Sequence, residues 1–129
     1  MMAERKQFKG KKFLILLTVG LNAPAVARSA FMFASLAAAF YLDTVVYCVQ
    51  EGADIMVKGA VDKEEVRPGI PTLKQRLAEA IEAGVKFQVC EITAANKGIE
   101  EEDLIPQAKL VGGAVLIDLA LDCDGMLCF

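Results

Sequence analysis

The residues most able to do chemistry in this chain are its four cysteines, because the sequence contains no histidine. Without an imidazole, the chain cannot form a Cys–His or Ser–His–Asp nucleophile system or a histidine-containing zinc site. The cysteines form no C-x-x-C pair, which excludes the usual spacing of a zinc ribbon or a thioredoxin-type dithiol; they are Cys48, Cys90, Cys123 and Cys128. We therefore expect no metal site and no cofactor, and we consider each thiol separately.

Cys90 is the thiol with the best claim to a function. It follows the predicted strand Val85–Val89 and precedes a polar, small-residue segment that also contains Lys97 and Gly98. A free thiol with a pKa of about 8.5 is only slightly ionised at neutral pH, so reactivity requires groups that stabilise the thiolate. The candidates are backbone N–H groups after Cys90, the nearby helix start and the Lys97 ammonium group. From spacing alone, a functional and a structural role for Cys90 are equally well supported.

The other three cysteines are better explained as structural residues. Cys48 lies within an apolar, β-branched stretch, which predicts a small buried hydrophobic side chain. The structural interpretation is also favoured for Cys123 and for Cys128.

The glycines form neither of the common nucleotide-binding loops, since the sequence contains no G-x-G-x-x-G after the first strand and no G-x-x-x-x-G-K. The segment 18–24 could still place an anion at the start of the first helix, which we regard as a weaker alternative. The sequence Asp122–Gly125 resembles the beginning of a calcium loop but is predicted to be a simple turn.

Apolar runs and turn residues predict five strands that alternate with helices. The predicted strands are Phe13–Val19, Thr44–Val49, Val85–Val89, Lys109–Val111 and Met126–Phe129. The predicted helices are Pro24–Tyr41, capped by Asn22, then Thr72–Ala83, ended by Gly84, the short Glu100–Ile105, and Gly113–Leu121. Gln50–Pro71 is expected to be a long connection with one turn near 54–58, and Glu91–Gly98 a loop with one turn.

This alternation predicts an α/β fold with three layers: an open sheet of about five mostly parallel strands, with helices on both faces. The first strand is expected to be central, because its apolar run is the most uniform. We expect one domain over residues 12–129, preceded by a basic, flexible N-terminal tail at residues 1–11.

Charge and hydropathy narrow the possible partners. The net charge is −3 although the first twelve residues carry five basic side chains and one acidic one, so the body is acidic. Nucleic-acid binding is therefore not expected. The longest apolar run, Ala30–Leu42, is shorter than a membrane span, so no membrane association is expected either. The N-terminus has some features of a signal peptide, but cleavage after Ala27 would remove the best predicted strand, and we expect a cytoplasmic protein.

Two helices are too apolar to be covered within so small a domain. Pro24–Tyr41 has few polar residues on any face, and Gly113–Leu121 is similar. We therefore expect a homo-oligomer.

Several motifs together resemble the DsrE/DsrF-like family of sulfur-relay proteins, over Lys12–Phe129. These are Val89-Cys90 followed by seven residues and Gly98-Ile99, the acidic turn Glu101–Ile105, the ending from Val111 to Phe129, Arg28 in the first helix, and the Gly84-Val85 junction. The resemblance implies a compact α/β domain and cytoplasmic oligomers, with a trimer or hexamer preferred and other subunits of the same family as possible partners. It also implies that the cysteine matched by Cys90 carries sulfane sulfur as a persulfide.

Two functional hypotheses follow. In the first, the chain is a sulfurtransferase-like carrier that moves sulfur from a donor protein to an acceptor protein, with Cys90 as nucleophile, Lys97 stabilising its thiolate and Gly98 turning the loop beside it. In the second, it is a non-catalytic binding or regulatory subunit in which Cys90 is not used and Gln50–Pro71 contacts a partner or a small anion. An exposed and reactive Cys90 favours the first hypothesis, and a buried, alkylation-resistant Cys90 favours the second.

Overall fold

A computed structural model describes residues 8–129, so most of the predicted tail at residues 1–11 lies outside the described residues. The strands are β1 (Lys12–Leu17), β2 (Asp43–Cys48), β3 (Lys86–Cys90), β4 (Ala108–Val111) and β5 (Gly125–Cys128). The helices are α1 (Pro24–Ala39), α2 (Glu51–Asp54), α3 (Leu73–Glu82), α4 (Glu91–Lys97) and α5 (Gly113–Asp122), with 3₁₀ turns at Ala60–Lys63 and Glu101–Asp103. Among the described residues, no helix is both long enough and apolar enough to cross a bilayer.

The five strands form one sheet in the order β4-β3-β2-β1-β5, and every neighbouring pair is parallel. This confirms the predicted α/β class and the open parallel sheet. The prediction that β1 is the central strand is wrong, because β2 occupies the middle. A uniformly apolar run indicates that a strand is covered on both faces. All inner strands share that property, so it does not distinguish one position from another.

The two faces of the sheet bury cores of unequal size. On one face, α1, α2 and α3 cover alternate residues of the inner strands, and Phe31 of α1 meets Phe87 of β3 edge to face at 5.9 Å. On the other face, α5 alone covers a smaller cluster formed by Leu14, Val45, Tyr47 and Cys90. Cys90 of β3 therefore faces the thinner of the two helical layers.

Helix starts and ends depart from the sequence prediction at two places. Asn22 does not cap α1, because its Oδ1 accepts a hydrogen bond from the Gly20 N–H at 2.8 Å. The segment 91–98 is the helix α4 rather than a loop, and Gly98 ends it with a left-handed φ of 69°. By contrast, Gly84 ends the region after α3 with a φ of 91°, as predicted.

The connection from Gln50 to Pro71 is anchored by Glu64. This carboxylate forms an ion pair with Arg28 of α1 and accepts a hydrogen bond from the Leu73 N–H, the first of α3, at 2.7 Å. The Glu64 side chain is only 4% exposed, so both partners compensate for its burial. The connection is thus tied to α1 and to the start of α3.

Two glycines allow α2 to lie against the end of β1. A Cβ at Gly52 would stand 2.3 Å from the Leu17 carbonyl oxygen, and a Cβ at Gly20 would stand 2.3 Å from the Glu51 carbonyl oxygen. Real side chains cannot approach backbone that closely. Only glycine at both positions permits this contact, which fixes α2 at the carboxyl edge of the sheet.

We predict that Gly52→Ala lowers the free energy of unfolding by about 1–3 kcal/mol, because the added methyl group must displace backbone. Gly113→Ala is the matched control, since its Cβ would meet only the Ile92 Cδ1 at an ordinary 3.8 Å. Alanine also favours the helical conformation. Urea unfolding followed by circular dichroism measures both variants. Equal midpoints for the two would contradict the steric argument.

Candidate functional site

Cys90 is the last residue of β3 and directly precedes α4. Its side chain shares the smaller core cluster with Tyr47 and is 8% exposed, so the thiol is mostly buried rather than standing open beside a loop. Cys48 ends the neighbouring strand but lies on the opposite face, in the larger core, and is 0% exposed. The two thiols therefore have different environments although their strands are neighbours.

Burial alone would raise the pKa of the Cys90 thiol, but hydrogen bonds to the sulfur outweigh this effect. Backbone N–H groups of Thr93 and Ile92 stabilise the thiolate, the hydroxyls of Tyr47 and Thr93 lie close enough to add to this effect, and the pKa of Cys90 lies below its usual value. The backbone donors belong to the first turn of α4, whose N–H groups have no partner within the helix. The groups that the sequence suggested, the turn after Cys90 and a nearby helix start, are therefore in place around the sulfur.

Lys97, predicted to stabilise the thiolate, instead pairs with α2. Its Nζ lies 2.7 Å from the Glu51 Oε2 and 3.2 Å from the Asp54 Oδ2. The hydrogen bonds to Glu51 and Asp54 raise the pKa of Lys97, and the same pair lowers the pKa of Glu51. Seven helical residues span about 10 Å, so Lys97 lies at the far end of α4 from the sulfur. The predicted contact between Lys97 and the thiolate is absent because residues 91–97 form a helix rather than a loop.

Gly98 does turn the chain, but at the same far end of α4. The structure therefore brings neither Lys97 nor Gly98 beside Cys90. Gly98 instead ends α4, and Lys97 holds that end against α2. Their contribution to the site is to orient the helix whose first turn surrounds the sulfur.

The remaining cysteines differ from Cys90 in ways that matter for any experiment on thiols. Burial raises the pKa of Cys48 to about 12, so this thiol stays protonated at neutral pH. Cys123 is partly exposed, and its Sγ lies 3.3 Å from the Ala120 carbonyl oxygen. Cys128 is exposed on the edge strand β5. A reagent in solution will therefore meet Cys128 before it meets Cys90.

Sequence reasoning missed two residues of the site. The Tyr47 hydroxyl donates a hydrogen bond to the Gly112 carbonyl oxygen at 3.0 Å, and it lies within hydrogen-bond reach of the Cys90 sulfur. The Thr93 hydroxyl accepts a weak hydrogen bond from the Gln50 N–H at 3.4 Å. Thr93 would have been found if α4 had been predicted, whereas Tyr47 required the register of β2 against β3.

No group of three or more histidine, cysteine or acidic side chains is placed to hold a metal ion within residues 8–129. A cavity of about 320 Å³ lies between the start of α1 and the segment 64–72, and Arg28, Glu64 and Arg67 are among its lining residues. None of its lining residues belongs to the cluster around Cys90.

Comparison with known proteins supports one family. The model of the DsrE/DsrF-like family matches residues 11–129. Among curated proteins, the uncharacterized protein MJ0989 of Methanocaldococcus jannaschii is 29% identical over 119 residues, which cover 92% of this chain and 99% of that protein. The uncharacterized protein MJ0760 of the same organism is 27% identical over 107 residues, 83% of this chain, and the chain spans only 38% of that protein's length.

Two solved structures share the fold. The ychN protein from E. coli has a TM-score of 0.71 at 16% identity, with 92% of this chain and 99% of that chain covered. The protein of unknown function MTH1491 from Methanobacterium thermoautotrophicum has a TM-score of 0.66 at 12% identity and the same coverage. At these identities the likeness concerns the fold, which agrees with the five-stranded parallel sheet described above.

We predict that iodoacetamide modifies native Cys90 with a pH midpoint below that of a free cysteine thiol, because its thiolate is stabilised. Cys48 should stay unmodified until the protein unfolds, and it serves as the internal control. The measurement is peptide mass spectrometry after timed alkylation between pH 5.5 and 9.5, in a Cys128→Ser background that removes the exposed thiol. Equal rates at Cys48 and Cys90, or a Cys90 midpoint above that of a free thiol, would contradict the assignment.

Proposed function

From the premise that this chain belongs to the DsrE/DsrF-like family, we propose that it carries sulfane sulfur as a persulfide on Cys90. The single observation that carries the proposal is the position of the Cys90 sulfur at the first turn of α4, where backbone N–H groups stabilise its thiolate. The family supports a sulfur relay in general, and this geometry supports Cys90 as the carrier residue.

The proposed transfer needs no histidine and no outside oxidant. The Cys90 thiolate attacks the outer sulfur of a donor persulfide, R–S–SH. A bond forms between the Cys90 Sγ and that sulfur, the S–S bond of the donor breaks, and the donor leaves as the thiolate R–S⁻. An acceptor thiolate then attacks the terminal sulfur held on Cys90, and the Cys90 thiolate leaves. Each displacement moves one sulfur atom and conserves the number of electrons.

The same hydrogen-bond donors stabilise the Cys90 sulfur in both transfer steps. The N–H groups of Ile92 and Thr93 stabilise negative charge on the Cys90 sulfur before attack and again when it leaves. Because Cys90 is only 8% exposed, a donor must present its terminal sulfur on a narrow group, or the start of α5 must shift. This partial burial also protects the bound sulfur from other thiols in solution.

A second function is favoured by that same low exposure. In this alternative, the chain is a non-catalytic binding or regulatory subunit, and Cys90 is a core residue. The anchored connection from Gln50 to Pro71 would then provide the binding surface, since Arg67 and Ile70 border the cavity beside α1. Reactivity of Cys90 separates the two functions directly.

We further propose that the protein is a cytoplasmic homo-oligomer, with a trimer or hexamer preferred from the family resemblance. Leu36 on the outer side of α1 is 47% exposed, and Leu121 on α5 is 82% exposed. Phe33 on α1 and Ile117 on α5 are also exposed. Apolar side chains of this size on two helices favour contact with further subunits. A donor and an acceptor protein complete the proposed relay.

The relay predicts that a persulfide donor adds roughly 32 Da to the protein, one sulfur atom, and that Cys90→Ser abolishes the gain. The matched control is Cys48→Ser, which should gain the mass as the unmodified chain does. Intact-mass spectrometry in the Cys128→Ser background measures it. If Cys90→Ser still gains the mass, or if the parent never does, the binding-subunit alternative replaces the relay.

The oligomer predicts that Leu36→Lys reduces the mass in solution toward that of the 13.9 kDa chain, because a charge is placed in the apolar contact. Val66→Lys is the control, since Val66 is 70% exposed but lies on the 50–71 connection rather than on either helix. Light scattering after gel filtration at micromolar concentration gives the mass. A parent protein that is already monomeric would overturn the proposal.

A further inference from the structure

We propose that Tyr47 is a positioning residue for Cys90, whose buried hydroxyl donates to the sulfur as thiolate and to the Gly112 carbonyl when the sulfur is protonated. The inference deepens the proposed relay and rests on it for its biological meaning.

The sheet register places the two side chains together. Tyr47 of β2 lies directly opposite Gln88 of β3, and Cys90 lies two residues further along β3. Residues two apart on a strand point to the same face, so Tyr47 and Cys90 share the face covered by α5. Both are buried in one cluster with Leu14 and Val45.

The Tyr47 hydroxyl has one proton and two acceptors within reach. In the structure it donates to the Gly112 carbonyl oxygen at 3.0 Å. The Cys90 sulfur is also within hydrogen-bond reach of the same hydroxyl. A single O–H group cannot donate fully to both acceptors. Rotation about the C–O bond therefore decides which acceptor is satisfied.

Ionisation of Cys90 changes the balance between these acceptors. A thiolate is a charged acceptor and forms a stronger hydrogen bond than a neutral carbonyl does. Burial is the main reason that the pKa of Tyr47 lies well above its usual value, with the hydrogen bond to Cys90 adding to it. The hydroxyl therefore keeps its proton and remains a donor throughout the neutral range.

The switch has a structural consequence at α5. Gly112 is the residue that precedes the first turn of α5, and Gly113 begins it. When the hydroxyl turns to the thiolate, the Gly112 carbonyl loses this donor. This carbonyl also accepts a hydrogen bond from the Val115 N–H at 3.1 Å, so it keeps one of its two donors. Ionisation of Cys90 is thereby coupled to the hydrogen bonding at the start of α5.

Other titratable groups around the sulfur do not supply this coupling. From β2, Cys48 points to the other face, and from α4, Glu91 is exposed beside the thiol and its charge opposes a second negative charge. Lys109 of β4 and Asp118 of α5 are both exposed. The hydroxyl of Tyr47 is the buried side-chain donor that reaches the sulfur from another strand.

The first test compares Tyr47→Phe, which keeps the ring and removes the hydroxyl, with Tyr41→Phe, a control on the surface. Both are made in the Cys128→Ser background, and the pH dependence of Cys90 alkylation is measured. We expect Tyr47→Phe to raise the midpoint by at least half a unit, an about threefold smaller thiolate fraction at neutral pH. Tyr41→Phe should leave it unchanged. An unchanged midpoint in a folded Tyr47→Phe protein overturns the proposal.

A second measurement needs no change at Tyr47. The chain has two tyrosines, so labelling with tyrosine carrying ¹³C at Cζ gives two NMR signals. We expect the Tyr47 signal to titrate with the midpoint of Cys90 alkylation, and to stay constant in Cys90→Ser, while Tyr41 serves as reference. A constant Tyr47 signal while Cys90 ionises overturns the proposal even if Tyr47→Phe does not fold.

These outcomes are separable from those of the relay itself. The titrations use no sulfur donor, so they report only on the Tyr47–Cys90 pair. A chain that shows both shifts but never gains sulfur refutes the relay and leaves Tyr47 as the group that sets Cys90 ionisation. A chain that gains sulfur without either shift supports the relay and refutes the role of Tyr47.

Discussion

The close backbone contact between α2 and the end of β1 fixes the position of α2, and the elements around Cys90 at the carboxyl edge of the sheet depend on that position. It exists because Gly20 and Gly52 leave no Cβ between the two segments. Once α2 is fixed there, Glu51 and Asp54 hold Lys97 at the end of α4. The other end of α4 lies at Cys90. The N–H groups that stabilise the thiolate are thus positioned by a contact two strands away from the sulfur.

The two faces of the sheet are covered unequally, and Cys90 lies on the face that has the thinner cover. The helix on that face also exposes apolar side chains. Three helices cover one face and form the larger core. On the other face α5 alone covers the cluster around Cys90 while Leu121 points to solvent. Leu116 and Leu119 of α5 pack on this cluster, so a single ten-residue helix separates it from solvent. Exposed apolar side chains on α1 and on α5 favour subunit contact on both sides of the sheet.

The fold was largely predictable from the sequence, because strands covered on both faces leave continuous apolar runs and helices leave a different period. The site was predictable only in part. Cys90 was identified from its position after a strand, but α4 has only seven residues, too few for a clear periodic signal. A loop at this segment would allow Lys97 to reach the thiol, whereas the helix carries Lys97 away from it. Tyr47 could not be found at all without the register, since its role depends on a neighbouring strand.

That register also explains why the pKa of Cys90 is lowered while the pKa of its neighbour Cys48 is raised. Cys48 pairs with Val89, so Cys90 extends one residue beyond it along the parallel ladder. One residue along a strand reverses the face to which a side chain points. Cys48 therefore enters the core beneath the helices, where burial acts alone and raises the pKa of its thiol to about 12. Cys90 turns to the opposite face at the point where the strand becomes α4, and there the free N–H groups of a helix start oppose the effect of burial. The two cysteines at the ends of adjacent strands thus have pKa values shifted in opposite directions, because they differ by one residue in register.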